Sequence, residues 1–404
     1  MGNSKNSSQM PGYQKTVLIT ASVASMIDQF NWPNIRLLLS LGYDMDVAAN
    51  FMHGSTCTDE RIAKLIKQLD QLSIDCYQID FDRKAVDVKA DLRAFRQLDA
   101  VVCGTARPVN PIRHHNMRSK NYAFIHSHSP IGGAAGRITA ARHRIKSIYT
   151  AHGFHFYRGA PLRNWIIFYF IEWMLSWMTD VLITINQEDY ARAKKYFHAK
   201  KTVYIPGVGV DVKKYQNLAV NREEKRKALG IRAEDIFLLS VGELNQNKNH
   251  KTVIEALGKI EPELSGRLHY VIAGKGGLKK ELGNLADQLG VRLHLLGFCS
   301  DVPELLKAAD IFLLPSFREG LNVGLMEAMA AGLPAIVSDI RGNRDLIRKQ
   351  DLQVKPEQPD GWAQAVRELA GSQQERMAQG VRNQKVIRHF RTSRVMRMMR
   401  KLYL

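Results

Sequence analysis

Short runs of Val, Ile and Leu alternate along nearly the whole chain with segments of roughly ten to twenty residues that carry helical periodicity. Few folds accept this rhythm. Strands apolar on both faces need cover on both, and a run–helix–run order supplies it through parallel strands joined by crossover helices. The runs at 17–20, 46–49, 74–79, 100–102, 124–126, 147–150, 181–185 and 203–205 are candidate strands of one parallel sheet. A turn-rich, charged stretch follows, and the pattern restarts at 237–241, 270–273, 293–296, 311–314 and 335–337. The expected architecture is α/β, with two Rossmann-like doubly wound domains facing each other across a cleft. We assign 1–15 to a frayed N-terminus, 16–206 to the first domain and 207–221 to a linker. The second domain takes 222–380, and a basic C-terminal helix, 381–404, packs back on the first domain.

The 404 residues are 45% hydrophobic and 24% charged, enough apolar chain for two cores and too apolar for disorder. The four cysteines, Cys57, Cys76, Cys103 and Cys299, form no C-x-x-C pair, so neither a zinc site nor a disulfide framework is indicated. The opening residues lack the apolar core of a signal peptide, and Asn6 stands where a myristoylation signal wants Ser or Thr. The best apolar stretch, 165–178, is shorter than the ~20 residues a membrane span needs and contains Glu172. It reads as a buried or interface-lying helix, with Trp165, Trp173 and Trp177 suited to a membrane surface. A formal net charge of +19 calls for an anionic neighbour, which charge alone does not choose. After Glu375 no acid occurs, while arginines recur at about every third position from Arg382 to Arg400. On one continuous helix that spacing wraps the charge around the axis.

The most informative segment is 313–339, LLPSFREGLNVGLMEAMAAGLPAIVSD. A strand is followed by a loop with Glu319 and Gly320, then by a helix expected to begin near Asn322. The unpaired amides and positive dipole end of its first turn favour a phosphate. Glu319 lies on the loop before that helix and Glu327 on the helix itself. Carboxylates so placed accept hydrogen bonds from ligand hydroxyls.

These residues closely resemble the retaining glycosyltransferases of family 4, which have the GT-B fold. The E-x7-E pair Glu319 and Glu327 carries the resemblance, and YTAHGFHFYRGAP from Tyr149, DVLITINQEDY from Asp180, IPGVGVD from Ile205 and VGELNQNKNH from Val241 extend it along the chain. Within that family the chain is most similar to bacterial enzymes of capsule, exopolysaccharide or O-antigen synthesis. The resemblance implies transfer of a sugar, with retention, from a nucleotide donor (usually UDP) to an oligosaccharide on a polyprenyl diphosphate. It also implies a second domain that binds the nucleotide-sugar and a first domain that binds the acceptor.

By that resemblance Glu327 binds the donor ribose. Glu319, with the backbone of Gly320, Leu321, Asn322 and Val323, holds the sugar and phosphates, and Lys248 meets the diphosphate. Gly274 suits close backbone approach to the donor, and Gly297 and Phe298 stand where the family holds the nucleobase. His152 is expected near the reaction centre, with His126, His128 and Ser129 on the acceptor, and Gly132 and Gly133 forming a turn for its phosphate. Where many members carry an arginine clamp this chain has Glu243, which cannot hold a diphosphate; either it turns away to a cation such as Lys248 or the charge is compensated elsewhere. The acidic pairs Asp44 with Asp46 and Asp80 with Asp82 read as structural, and no metal or other cofactor is expected.

The resemblance further implies a cytoplasmic enzyme held peripherally at the inner face of the plasma membrane. The anionic surface and lipid-linked acceptor would then account for the basic charge. Two alternatives remain at this point, a GT-B sugar-nucleotide epimerase and a basic nucleic-acid-binding protein. The second lacks any basic-aromatic or helix-turn-helix signal, so no nucleic acid is expected as partner.

Overall fold

The computed structural model describes residues 15–53, 57–82, 88–110, 121–347 and 352–404, and the expected frayed tail lies outside these except for Lys15. The chain forms two units. One comprises the residues up to Thr184 together with Arg192–Val203 and Met399–Leu404; the other comprises Ile185–Ala191 and Tyr204–Met398.

The first unit carries seven strands, β1 (Thr16–Ala21), β2 (Asp44–Ala49), β3 (Asp75–Gln78), β4 (Tyr122–His128), β5 (Lys146–Ala151), β6 (Val181–Thr184) and β7 (Lys201–Tyr204), in spatial order 3-2-1-4-5-6-7. The second carries β8 (Ile236–Val241), β9 (Leu268–Ala273), β10 (Leu293–Gly297), β11 (Ile311–Leu314), β12 (Ala335–Ser338) and β13 (Gln353–Val354), in order 10-9-8-11-12-13. The described strand pairs run parallel. In each sheet the order reverses once, between β1 and β4 and between β8 and β11. A doubly wound sheet opens its ligand crevice at that point, outside the carboxyl ends of the strands.

The helices follow their apolar periods. Asp59–Gln71 buries Ile62, Leu65 and Leu69 on one stripe, and its capping Thr58 accepts a hydrogen bond from the Arg61 amide at 3.4 Å. The same periodicity overturns one strand assignment. Residues 100–102 are the last turn of helix Val88–Val102, whose Ala94, Leu98, Val101 and Val102 are buried at helical spacing. A three-residue apolar run is too short to tell strand from helix, and packing decides. The two-residue β13, which pairs with β12, gave no such signal.

Residues 207–221 contain a helix, Val212–Asn217, and bury Val210, Val212 and Tyr215 in the core of the second unit. The C-terminal arginines do not share one helix. Helices Gln373–Ile387 and Thr392–Tyr403 are separated by a short 3-10 turn, and the second turns Val395, Met399, Leu402 and Tyr403 inward while its arginines stay exposed. Wrapping assumed an unbroken axis; the break makes the last helix amphipathic. Its Tyr403 stacks on Phe124 of β4 within the first unit, ring centroids 5.4 Å apart.

Candidate active site

In the second unit the reversal between β8 and β11 brings together the loops that follow these two strands. They are zipped by their own backbone and amides. Phe317 N–H donates to the Asn247 carbonyl at 2.8 Å, and the Asn247 side chain donates to the Arg318 carbonyl at 3.0 Å. Asn249, at φ 53°, donates to the carbonyls of Pro315 and Pro356 at 3.1 and 2.9 Å. Across this zipper Lys248 Nζ meets Glu319 Oε1 at 2.6 Å, both side chains being largely buried. An ammonium has three donors, so two remain for another anion. Lys248 lies along Gly242, whose missing side chain leaves the room. Glu243 is exposed and accepts from the Asn245 amide at 2.8 Å, so the cation first considered for it belongs to Glu319.

Helix Val323–Ala331 starts directly after this loop. The buried Asn322 caps it, its Oδ1 accepting from the Leu325 amide at 2.8 Å, while the amides of Val323 and Gly324 find no acceptor within the helix. Gly342, at φ +78°, fixes the loop from behind. A Cβ there would stand 2.2 Å from the Gly320 carbonyl oxygen. Leu321 is buried in the core.

Glu327 lies one turn into the helix, where burial pushes its pKa up although the Tyr215 hydroxyl donates to it at 2.6 Å. Tyr215 was not singled out from the sequence. It sits in a segment that reads as a linker, and only the fold brings it to the helix. Gly274 packs against protein: a Cβ would lie 1.8 Å from the Gly242 carbonyl oxygen, so the close approach is between the ends of β8 and β9. Gly297, at φ +73°, ends β10, and the exposed Phe298 ring lies 6.0 Å from Lys275 Nζ.

In the first unit the reversal sets the end of β1 beside that of β4, and β5 pairs on β4's other side. His126 and His128, two residues apart, share one face of β4, and His152 follows β5. His128 Nδ1 and His152 Nε2 are 3.0 Å apart. Burial lowers the pKa of both, that of His152 to about 4, so neither is charged near neutrality. His126, expected on an acceptor, is instead a core residue. It is fully buried, with Nδ1 on the Tyr403 hydroxyl at 2.9 Å and Nε2 on the Thr150 hydroxyl at 2.8 Å. No ring nitrogen is left for a ligand.

Ser129 stands at φ 65° before helix Pro130–Arg142. Its Oγ meets Ser22 Oγ at 2.7 Å and accepts from the Ser22 amide at 3.0 Å. Ser22, on the loop after β1, is a second residue that sequence reasoning missed. Gly132 and Gly133 lie inside this helix and do not form a turn; a Cβ on Gly133 would meet the Tyr149 ring at 2.3 Å.

The acidic pairs are structural where the fold describes them. Buried Asp46 accepts from the Tyr122 hydroxyl, and Asp80 from Gln78 and Gln97 at 2.9 and 2.8 Å. Among the described residues one trio, Asp99, Cys103 and His143, could offer metal ligands, but Asp99 is already bridged to His143 and Arg142.

This geometry can be set beside known proteins. The family model "Glycosyl transferase 4-like domain" matches residues 35–207, and "Glycosyl transferases group 1" matches residues 221–386. The putative glycosyltransferase EpsD of Bacillus subtilis is 35% identical over 341 residues, covering 83% of this chain and 81% of its own. The chain belongs to the glycosyltransferase family. It is also 33% identical over 241 residues to an Escherichia coli UDP-Gal:alpha-D-GlcNAc-diphosphoundecaprenol alpha-1,3-galactosyltransferase, 58% of this chain and 62% of that one. Among solved structures, Anabaena HepE in complex with UDP and glucose superposes with TM-score 0.73 at 15% identity, over 96% of this chain and 98% of that one. WaaG, a glycosyltransferase involved in lipopolysaccharide biosynthesis, gives TM-score 0.68 at 16% identity, over 96% and 99%. At such identities these two structures speak for the fold alone, which is GT-B.

Proposed function

We propose that this glycosyltransferase moves a sugar, with retention, from a UDP-sugar to a saccharide carried on a polyprenyl diphosphate in bacterial surface polysaccharide synthesis. The observation that carries the reading is the Lys248–Glu319 pair at the mouth of helix Val323–Ala331, with Glu327 farther along that helix. Lys248 and the Val323 and Gly324 amides neutralise the diphosphate, whose charge grows as the glycosidic bond breaks. Glu319 accepts hydrogen bonds from sugar hydroxyls and Glu327 from the ribose. In the front-face route the departing phosphate oxygen takes the acceptor's proton, so the protein needs no separate base and no metal. The names of the Escherichia coli transferase and of the Anabaena complex support a UDP donor and a lipid-linked acceptor. His152 and His128 are neutral hydrogen-bonding groups in the first unit, suited to orienting hydroxyls.

The same reading places the protein on an anionic membrane surface. No helix of the described residues is long and apolar enough to cross a membrane. The stretch that begins with Leu162 and ends with Met178 exposes Leu162, Ile166, Phe170 and Trp177 at 74%, 65%, 58% and 63%, beside the cationic Arg163. Trp165 and Trp173 pack inward from it.

The test is a panel of UDP-sugars assayed for binding, donor hydrolysis and transfer, with EDTA present and absent. Transfer by the wild type, a donor affinity weakened at least tenfold in Glu327→Ala and transfer abolished in Glu319→Ala are the expected results. Undiminished donor binding in both variants overturns the site.

A further inference from the structure

The first unit contains a cavity of about 280 Å³ that none of the roles above employs. Its wall is apolar, built from helix Val88–Val102 (Ala94, Phe95), helix Pro130–Arg142 (Ile131, Ala134) and helix Phe170–Ser176 (Ile171, Met174). Two carboxylates reach it. Glu172 is neutralised by Arg137 at 2.8 Å and accepts from the Tyr149 hydroxyl at 3.0 Å. Asp91 stands in the first turn of its helix, where the dipole favours a negative charge.

Two borders of the cavity set its occupant. Pro130 and Gly153 line it, and they directly follow Ser129, expected on the acceptor, and His152, expected near the reaction centre. Ile138 and Met174 also line it and are exposed, so it opens onto the surface of the unit, and Met174 belongs to the stretch that displays the apolar side chains. A saccharide gains nothing from such walls, because its hydroxyls would be stripped of water without partners. A hydrocarbon gains from every carbon it buries. Since an apolar cavity near 150 Å³ takes one benzene-sized guest, this one has room for roughly two isoprenoid units.

We infer that this cavity holds the first isoprenoid units of the acceptor's carrier lipid, leading the chain from the histidine pair toward the apolar helix face. The inference rests on the lipid-linked acceptor proposed above. A tail gripped here fixes the distance between its diphosphate and the histidine end. It also lets the enzyme distinguish lipid-linked from free saccharides.

The probe is farnesyl diphosphate, with a saturated three-carbon alkyl diphosphate as the tail-poor control, titrated against the full chain in vesicle-free solution. Ala134→Phe fills the cavity, and Met174→Lys places a charge at its exposed rim, where folding is little at risk. Saturable binding of farnesyl diphosphate, at least tenfold tighter than the control and weakened at least tenfold in both variants, is the expected result. With acceptor substrates, the preference for a prenylated over a tail-free saccharide diphosphate should fall by a similar factor. Equal binding of the two diphosphates, or binding untouched in folded variants, overturns the inference while leaving sugar transfer intact. Failure of transfer to every acceptor strikes the proposed function instead, and the farnesyl diphosphate titration still reads the cavity by itself.

Discussion

Glu327 is a carboxylate whose burial works against its own charge, and the Tyr215 hydroxyl, with the charge of Lys214, offsets part of that cost. Removing the phenol in Tyr215→Phe deletes a hydrogen bond to an ionised group, an interaction of about 1.5 to 3 kcal/mol. We expect UDP affinity, measured by calorimetry, to weaken by roughly tenfold with kcat little changed. Because the phenol lowers the Glu327 pKa, its loss raises it, and the acid limb of UDP binding should move to higher pH. Glu319 and Glu327 stood out in the sequence because their loop and helix are contiguous and carry a family pattern, and Lys248 stood out on a separate loop by the same resemblance. The link from Lys248 to Glu319 spans 71 positions and was not legible. Nor was the burial of His126, since a strand's sequence does not say which of its polar residues the neighbouring elements will enclose.

Among the elements, the carboxyl ends of β4 and β5 gather three histidines whose burial makes stability pH-dependent. His126, His128 and His152 all have folded pKa values below the ordinary 6.5, His126 near 3 and His152 near 4, because burial penalises the imidazolium. The unfolded chain therefore takes up protons first. This contribution to stability is fully present above pH 6.5 and is lost as the pH falls from there, down to about 4 for His152 and about 3 for His126. Each fully buried histidine adds a slope of up to about 1.4 kcal/mol per pH unit. Denaturant titrations at pH 7.5, 6 and 5 should show the first unit losing stability stepwise, and His126→Asn should flatten the slope.

Helix Pro130–Arg142 is tied to Phe170–Ser176 by the buried Arg137–Glu172 pair, over which the Tyr149 ring lies 3.9 Å from the guanidinium carbon. Arg137→Leu alone strands a carboxylate and should cost about 3 to 5 kcal/mol, whereas the Arg137→Leu/Glu172→Leu double variant should recover most of it. Chemical denaturation of the three proteins checks this. The helix within 165–178 was visible in the sequence, but not the ion pair that ties it to Pro130–Arg142.

For the whole molecule the charge of +19 meets a localised apolar face. Ile166→Glu and Trp177→Glu should each reduce co-sedimentation with anionic vesicles severalfold, while binding of farnesyl diphosphate in solution is retained. Raising salt should weaken the wild type's vesicle binding, since exposed charges are screened over about 10 Å at 0.1 M. Neutral vesicles serve as the control. The stretch 165–178 was legible as too short to span and too apolar to be ordinary surface. Which of its tryptophans face outward was not, because Trp173 and Trp177 are one turn apart and only packing against Phe197 and its neighbours separates them.

Periodicity and local chemistry alone determined the parallel α/β class, two sheets, and the loop and helix that carry Glu319 and Glu327, since all of these are written within a few consecutive residues. Tertiary structure decided the partners. In the second sheet the reversal of strand order sets Lys248 on Glu319, in the first the pairing of β4 with β5 sets His128 on His152, and the folded chain lays Tyr215 against Glu327. It also left an apolar cavity within the first unit, bounded by residues far apart in the chain. Contacts across such separations depend on how helices and strands pack, which no local run of residues encodes.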